Sequence, residues 1–382
     1  MSISKKIAEI IEEYKGKEVT IGIFCSHTGK QIGMSAKSWG FRTVAVCEKG
    51  REKLYTKYNP WLYDKFILLD HFKDMLDTKV QEKFREMSTL FIANRSFAAY
   101  VGYDGIEKEF EVPIVCCNRF LLRAEERGYE KGQYYLLQKA GVPTPKHFPS
   151  PEKIDRFVIV KVQSARNPLE RENFYADSPE NFYEEAEKKL RSGTITEEGL
   201  KKARIEEYIL GPKFNANFHC FGLKDVFGDF AFVGFSDRIQ VNLQGFLDLP
   251  AREQLKIKNV LVKNVEIGHR GGITMRESRE PMVYESAERL IRVCEREFPP
   301  GIRGSFSLQG AVGFSPEDNE KEEFFVFDTS LRVPGDPGIG PTSPEMRNLG
   351  LRYGIKIEDP LDLIMMEIKK ALAENRLSEI IT

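Results

Sequence analysis

Short runs of apolar and β-branched residues alternate with helix-like segments through the first third of the chain. These runs are Glu18–Phe24, Arg42–Cys47, Lys65–Leu69, Thr89–Ala93 and Val112–Cys116, and amphipathic spacing fills several of the intervals between them. Strands that alternate with helices are joined by crossovers, so they lie parallel and carry helices on both faces of the sheet. The pattern predicts a doubly wound parallel sheet for residues 1 to about 120.

The remainder of the chain mixes strands and helices without that regular alternation. A charged helical stretch, Arg119–Ala140, ends at Gly141 and two prolines, which indicates a domain change there. The predicted elements that follow are strands Phe157–Val162, Lys202–Gly211, Phe214–Phe221, Phe230–Ile239, Ser305–Gln309 and Glu323–Val333, and helices Asp177–Leu190 and Glu285–Glu297. We therefore predict an α/β domain followed by an α+β region.

Length and composition favour a multidomain protein that handles small molecules. At 382 residues the chain exceeds what one hydrophobic core usually organises, and we expect domains at 1–122, 123–210 and 211–382. A net charge of −1 offers no electrostatic footprint for nucleic acid or an anionic membrane. The six cysteines form no CxxC pair, which argues against a disulfide framework and a zinc ribbon. The charged N-terminus and the lack of a long apolar run predict a cytoplasmic protein.

The stretch Phe324–Arg332 alternates polar and apolar residues near the end of the chain. In an extended strand, Asp328, Ser330 and Arg332 would share one face. Asp328 could hold a divalent cation and Arg332 an anionic oxygen, as an enzyme acting on a magnesium nucleotide requires. A half-solvated antiparallel strand is the alternative interpretation.

Two further positions suggest anion binding. Ser26, His27 and Thr28 follow the first predicted strand, where ligands of doubly wound sheets bind, although hydroxyl residues are also ordinary helix N-caps. Lys161 lies in a β-branched strand and needs a counter-charge, either a protein carboxylate or a bound phosphate.

These landmarks together resemble an ATP-grasp ligase, with an N-terminal doubly wound domain before the ATP-grasp fold. More specifically, the chain resembles the archaeal formate-dependent family that makes FAICAR, 5-formamidoimidazole-4-carboxamide ribonucleotide, from AICAR, formate and ATP in purine (IMP) biosynthesis. The motifs that carry the resemblance span the chain: Ser26-His27-Thr28, Tyr55-Thr-Lys-Tyr58, Cys117-Asn-Arg119, Ala140-Gly-Val-Pro143, Val158–Lys161, Glu206–Gly211, Leu249–Leu255, Arg276-Glu-Ser278, Pro299-Pro-Gly301 and Phe327–Arg332.

The resemblance implies the following site for ATP and metal. ATP would bind between the middle and last domains, with its phosphates at Lys161. Its adenine would bind at the strand end formed by Glu206, Glu207, Tyr208 and Ile209. The metal ligands would be Asp328 and Gln309, holding Mg²⁺ or Mn²⁺.

The resemblance also implies the reaction and its substrate residues. Formate would be activated as formyl phosphate and attacked by the amine of AICAR, with Arg276 and Arg332 around the transferred phosphoryl group. A homo-oligomer is expected, without a nucleic-acid or membrane partner. The residues expected to bind the ribonucleotide are Ser26, His27, Thr28, Ser96, Asn118, Arg119, Arg238 and Asn242.

The chain departs from the family pattern at several sites. The segment Gln163–Phe174 contains no glycine, whereas relatives carry a glycine-rich phosphate loop there. Asn94-Arg95-Ser96-Phe97 stands where the family tends to have His-Gly-Ser-Phe, and Gln240 replaces a glutamate. These changes favour two alternatives: a paralogous ligase that uses another carboxylate or amine, and a catalytically silent member that binds nucleotide.

Overall fold

In the computed structural model of the protein, the described residues are 2–126, 129–162, 173–237, 239–240, 249–256, 268–269, 271–315, 318–336 and 338–382. The N-terminal part is a parallel sheet with strand order β3-β2-β1-β4. Its strands are β1 Thr20–Phe24, β2 Arg42–Glu48, β3 Lys65–Leu69 and β4 Thr89–Ile92; its helices are α1 Ile3–Tyr14, α2 Gly29–Ser38, α3 Lys53–Thr56, α4 Thr78–Glu86, α5 Arg95–Val101 and α6 Tyr103–Lys108.

The predicted fifth strand at residues 112–116 is wrong in extent. Ile114 bridges Phe91 in parallel, and Val115 bridges Ile381 in antiparallel fashion. Pro113 has no N–H to donate, which interrupts a regular ladder. The chain terminus supplies the missing pairing, since the backbone N–H groups of Ile114 and Thr382 each donate to the other's carbonyl.

A small antiparallel sheet follows, with strand order β5-β8-β6-β7. The predicted helix Arg119–Ala140 is replaced by a 3-10 turn at Leu122–Glu125 and the short helix α7. The predicted strand over Lys202–Gly211 shortens to β8. The elements are α7 Gln133–Lys139, β5 His147–Phe148, β6 Val158–Lys161, β7 Phe174–Ala176, α8 Pro179–Arg191, α9 Glu197–Lys201 and β8 Arg204–Glu207.

The C-terminal part contains an antiparallel sheet with strand order β13-β10-β9-β14-β15 and a two-stranded β11-β12 ladder. The predicted antiparallel pair of late strands is confirmed as β14 and β15. The elements are β9 Lys213–Cys220, α10 Lys224–Phe227, β10 Phe230–Asp237, β11 Ile239–Gln240, α11 Ala251–Lys256, β12 Gly268–His269, β13 Gly272–Ile273, α12 Glu280–Glu297, β14 Gly304–Ser315, β15 Asp318–Ser330, α13 Ile339–Thr342, α14 Pro344–Tyr353 and α15 Asp362–Ala373.

Packing leaves one face of the five-stranded sheet for polar residues. Helix α12 covers the other face, where Leu290 packs in one cluster with Phe218 and Phe306. Side chains alternate along a strand, so neighbouring positions of β9 and β14 point to the opposite side. Among the described residues, no helix is both long and apolar enough to cross a membrane.

Candidate active site

The polar face of the five-stranded sheet is deeply buried, and Ile339 and helix α14 pack on it over β10. Asn217 of β9 and Ser307 of β14 are register partners, and Ser307 also faces Ser330 of β15. Burying polar groups costs free energy unless they are hydrogen-bonded. Among the described residues, Asn215 Oδ1, Asn217 Oδ1 and Ser307 Oγ have no hydrogen-bond partner. This face is therefore suited to binding a polar ligand.

The two predicted metal ligands lie opposite each other on this face. Gln309 of β14 is the register partner of Asp328 of β15, so their side chains are within reach of one ion. The amide nitrogen of Gln309 donates to Ser330 Oγ at 3.1 Å. A carboxylate and an amide fit Mg²⁺, which prefers oxygen ligands and takes several from water and phosphate. No group of three or more His, Cys, Asp or Glu within the described residues could hold a metal, so substrate oxygens would have to complete such a site.

Lys161 links the small sheet to the metal strand. Its Nζ donates to the carbonyl of Phe327 at 3.3 Å and to the Tyr134 hydroxyl at 3.2 Å. It also forms an ion pair with Glu206, and both side chains are almost completely buried. Burial raises the pKa of Glu206, but the Lys161 charge and hydrogen bonds outweigh burial and lower that pKa overall. The counter-charge of Lys161 in this structure is thus a protein carboxylate.

The predicted adenine segment borders a half-exposed aromatic cluster. The rings of Phe157 and Tyr175 are stacked with centroids 5.7 Å apart, and both contact the Tyr208 ring edge-on. The backbone N–H of Tyr208 donates to Phe157, and that of Glu207 donates to Lys146. Exposed aromatic faces of this kind suit a planar purine base. Ile209 packs nearby against Ala311 and Phe325.

A second polar cluster lies beyond the carboxyl ends of β1, β2 and β4. Ser96 Oγ donates to Ser26 Oγ at 3.0 Å, and an Arg51 guanidinium nitrogen lies 3.4 Å from the same oxygen. Asn94 donates to the carbonyl of Ser26 at 2.9 Å. The structure thus brings Ser26 and Ser96 together as predicted, and adds Arg51. Sequence reasoning missed Arg51, although it follows β2 at the same sheet edge.

His27 and Thr28 of this cluster meet the loop that follows β15. A Cβ atom placed on Gly335 would lie 2.3 Å from His27 Cε1 and 2.8 Å from Thr28 Cγ2. The first sheet and the metal strand therefore contribute to one continuous region.

Arg332 is held by a carboxylate that the sequence analysis missed. Its guanidinium lies 3.2 Å from Glu125, and the other oxygen of Glu125 accepts the backbone N–H of Leu331 at 2.6 Å. Burial raises the pKa of Glu125 despite the opposing charge of Arg332. Among the described atoms, Arg332 Nε has no hydrogen-bond partner.

Asn118 and Arg119 have contacts that favour structural roles. Arg119 is 1% exposed, and its guanidinium donates to four backbone carbonyls, those of Ile106, Phe110, Val112 and Thr382. Asn118 donates to the carbonyls of Phe298 and Gly301.

Arg276 does not join the predicted phosphoryl site. It lines a cavity that also contains Glu322 of β15. Glu322 is six residues from Asp328 along an extended strand, or roughly 20 Å. Of the other predicted residues, Arg238 and Asn242 lie outside the described residues. Residues 163–172, which make up most of the glycine-free segment Gln163–Phe174, also lie outside them.

Comparison with known proteins identifies the family. Two family models match, described as "Domain of unknown function (DUF1297)" over residues 181–382 and "Protein of unknown function (DUF1246)" over residues 21–148. A protein of Methanopyrus kandleri named 5-formaminoimidazole-4-carboxamide-1-(beta)-D-ribofuranosyl 5'-monophosphate synthetase is 37% identical over 88% of this chain and 88% of its own length. One of the same name from Methanocaldococcus jannaschii is 36% identical over 96% of this chain and 99% of its own. The chain belongs to this FAICAR synthetase family. The family predicted from the motifs is therefore confirmed.

Comparison with solved structures shows that this FAICAR synthetase family chain has the ATP-grasp fold. The IMP biosynthesis protein PurP from Thermococcus kodakaraensis aligns with a TM-score of 0.63 at 20% identity, covering 95% of this chain and 100% of that chain. An N5-carboxyaminoimidazole ribonucleotide synthetase in complex with ADP aligns with a TM-score of 0.57 at 10% identity, covering 90% and 78% respectively. The predicted fold class is confirmed.

Proposed function

We propose that this chain catalyses the ATP- and formate-dependent formylation of AICAR to FAICAR, in purine biosynthesis. One observation carries the proposal beyond family membership. The segment from Phe327 to Gly335 contacts Lys161 at one end and His27 at the other. It therefore connects the proposed ATP side of the site to the proposed ribonucleotide side.

Each cluster has a role in the proposed reaction. Ser26, Ser96 and Arg51 would bind the 5′-phosphate of the ribonucleotide, since hydroxyls and a guanidinium at helix starts favour an anion. The buried amides Asn215 and Asn217 would hydrogen-bond the polar imidazole carboxamide.

Carboxylate activation needs charge neutralisation at the transferred phosphoryl group. Lys161 and Arg332 supply fixed cations on either side of Asp328, and the Nε–H of Arg332 would donate to the formyl phosphate. Mg²⁺, held by Gln309 and Asp328, would neutralise charge on the ATP phosphates. The half-exposed rings of Phe157, Tyr175 and Tyr208 would contact adenine.

The decisive experiment measures ADP and phosphate release with Mg-ATP, AICAR and formate, each omitted in turn, with mass detection of the nucleotide product. We expect turnover only with all three, giving the formylated nucleotide. Turnover with another carboxylate in place of formate would instead support a paralogous ligase, which the replacement of a family histidine by Asn94 favours. ATP binding without any ADP release would favour a non-catalytic role.

We also infer that the protein works in the cytoplasm as a homo-oligomer. The edge strand β3 and the preceding segment expose large apolar side chains, including Trp61 at 69% and Leu68 at 49%. Such an edge invites pairing with another chain. Light scattering after size-exclusion chromatography, with Trp61→Glu for comparison, tests this inference.

A further inference from the structure

A cavity of 370 Å³ lies at the edge of the five-stranded sheet, next to the end of the proposed adenine segment. Phe214 lines it, and this side chain points to the opposite side of β9 from Asn215. Most of the lining is apolar, with Leu210, Pro212, Phe235, Met275 and Phe314. The volume falls within the roughly 300–1,000 Å³ of small-molecule sites.

The charged lining residues leave a surplus of positive charge. Arg279 forms a bidentate ion pair with Glu322, at 2.5 and 2.6 Å. Arg276 lines the same cavity, is exposed and has no ion pair within the described residues. The charged lining residues are therefore two guanidiniums and one carboxylate, and the carboxylate is paired with Arg279. A guanidinium next to an apolar cavity suits an acidic group attached to an apolar body.

We propose that this cavity binds a small aromatic monoanion, with its ring against the exposed side chains of Leu210 and Phe314 and its acidic group on Arg276. Phe214 and Phe235, which meet edge to face with centroids 5.4 Å apart, are buried and form the floor of the cavity. None of the lining residues belongs to the clusters assigned above to ATP, Mg²⁺ or the ribonucleotide.

The cavity also borders the connection between the two antiparallel sheets. Leu210, Gly211 and Pro212 join β8 to β9, and a Cβ on Gly211 would lie 1.9 Å from the Val312 carbonyl. A ligand here would contact both this connection and the β14–β15 hairpin. Since the connection follows the proposed adenine segment, the bound anion is expected to change the affinity for ATP.

The test uses 8-anilinonaphthalene-1-sulfonate as the probe, titrated by fluorescence into the full chain with saturating Mg-ATP to block the nucleotide cleft. Arg276→Gln should weaken binding roughly tenfold, the loss expected for one charge-assisted hydrogen bond. Thr274→Trp, at an exposed lining position, should weaken it by obstruction. Arg292→Gln, whose side chain is 74% exposed on α12, is the matched control and should bind as the wild type does.

An uncharged probe separates the two parts of the proposal. N-phenyl-1-naphthylamine should bind Arg276→Gln as well as it binds the wild type but should still be excluded by Thr274→Trp. Unchanged sulfonate binding in both variants would place the probe elsewhere and overturn the site. An equal loss of both probes in Arg276→Gln would overturn the assignment of an anion. An ATP affinity that does not respond to the sulfonate would refute the coupling.

Discussion

Gly335 is packed against His27, so the loop after the metal strand closes directly onto the loop after the first strand. The φ angle of Gly335 is +77°, and a Cβ atom there would lie 2.3 Å from the imidazole ring. Both the backbone conformation and the available space therefore require glycine at this position. This contact fixes how the N-terminal sheet meets the rest of the site.

Gly335→Ala should reduce both stability and turnover. The strained φ costs about 1 kcal/mol, and the clash must in addition displace His27 or Thr28. Gly354→Ala is the matched control, because Gly354 has φ +69° and open space around the added Cβ. We expect AICAR KM to rise in Gly335→Ala alone, measured by steady-state ADP release. Equal effects of the two substitutions on the AICAR KM would show that the contact with His27 does not contribute to substrate binding.

Glu206→Gln should destabilise the protein strongly. Removing one partner of a buried ion pair leaves the other charge uncompensated, at a cost of about 3–5 kcal/mol. Urea unfolding measures this loss. Glu206 also pairs with Arg204, whose side chain is 27% exposed and can be solvated. The double variant Lys161→Met with Glu206→Leu should therefore recover much of the stability but not ATP affinity, as calorimetric titration would show. Recovery of ATP binding in the double variant would exclude Lys161 as a phosphate ligand.

Asp328→Asn should raise the Mg²⁺ concentration needed for half-maximal ADP release, by at least about tenfold, because it removes the anionic ligand of the pair. Gln309→Glu should lower that Mg²⁺ concentration by adding a second carboxylate opposite Asp328. Asp229→Asn, 73% exposed beside Lys224, is the control. The same Mg²⁺ dependence in all three variants would place the metal elsewhere.

Arg119→Met should destabilise the fold without changing the site. Four backbone carbonyls would lose their donor, at a cost of about 3 kcal/mol or more. Removing Ile381 and Thr382 should have a similar effect, since the Thr382 carbonyl is one of those acceptors. The readouts are urea unfolding and the AICAR KM of the folded enzyme. A KM increase of tenfold or more with unchanged stability would instead support the prediction that Arg119 binds the ribonucleotide.

Asp359→Asn should stabilise the protein at neutral pH. Burial raises the pKa of Asp359 from its usual 3.8 to about 6. The folded state therefore binds the proton more tightly than the unfolded state. Stability falls as pH rises from about 4 to about 6 and stays lower above that range, by up to about 3 kcal/mol.

An asparagine at this position avoids that cost and can still accept from Gln31, which donates to Asp359 at 2.9 Å. Urea unfolding at pH 5 and pH 8 measures the effect. We expect the variant to exceed the wild type more at pH 8 than at pH 5, and the reverse order would contradict the assignment.

The sequence alone predicted the parallel N-terminal sheet, the α+β remainder and the family. Periodicity and motif order are local properties, so the alternation in Phe324–Arg332 was sufficient to place Asp328 and Ser330 on one face of a strand. Element ends were less well predicted. The helix expected over Arg119–Ala140 is broken, since Arg119 instead anchors the chain terminus.

Tertiary structure decided which of these residues meet. No local pattern identifies the contacts of Arg51 with Ser26, of Glu125 with Arg332, or of Gly335 with His27. The two residues of each pair are distant in sequence. Arg276 shares a motif with the family, yet the fold places it in a cavity lined by Glu322, at the other end of β15 from Asp328. Spacing along the chain determined the strands and helices of this protein. Long-range packing, which no local period encodes, determined which side chains form its site.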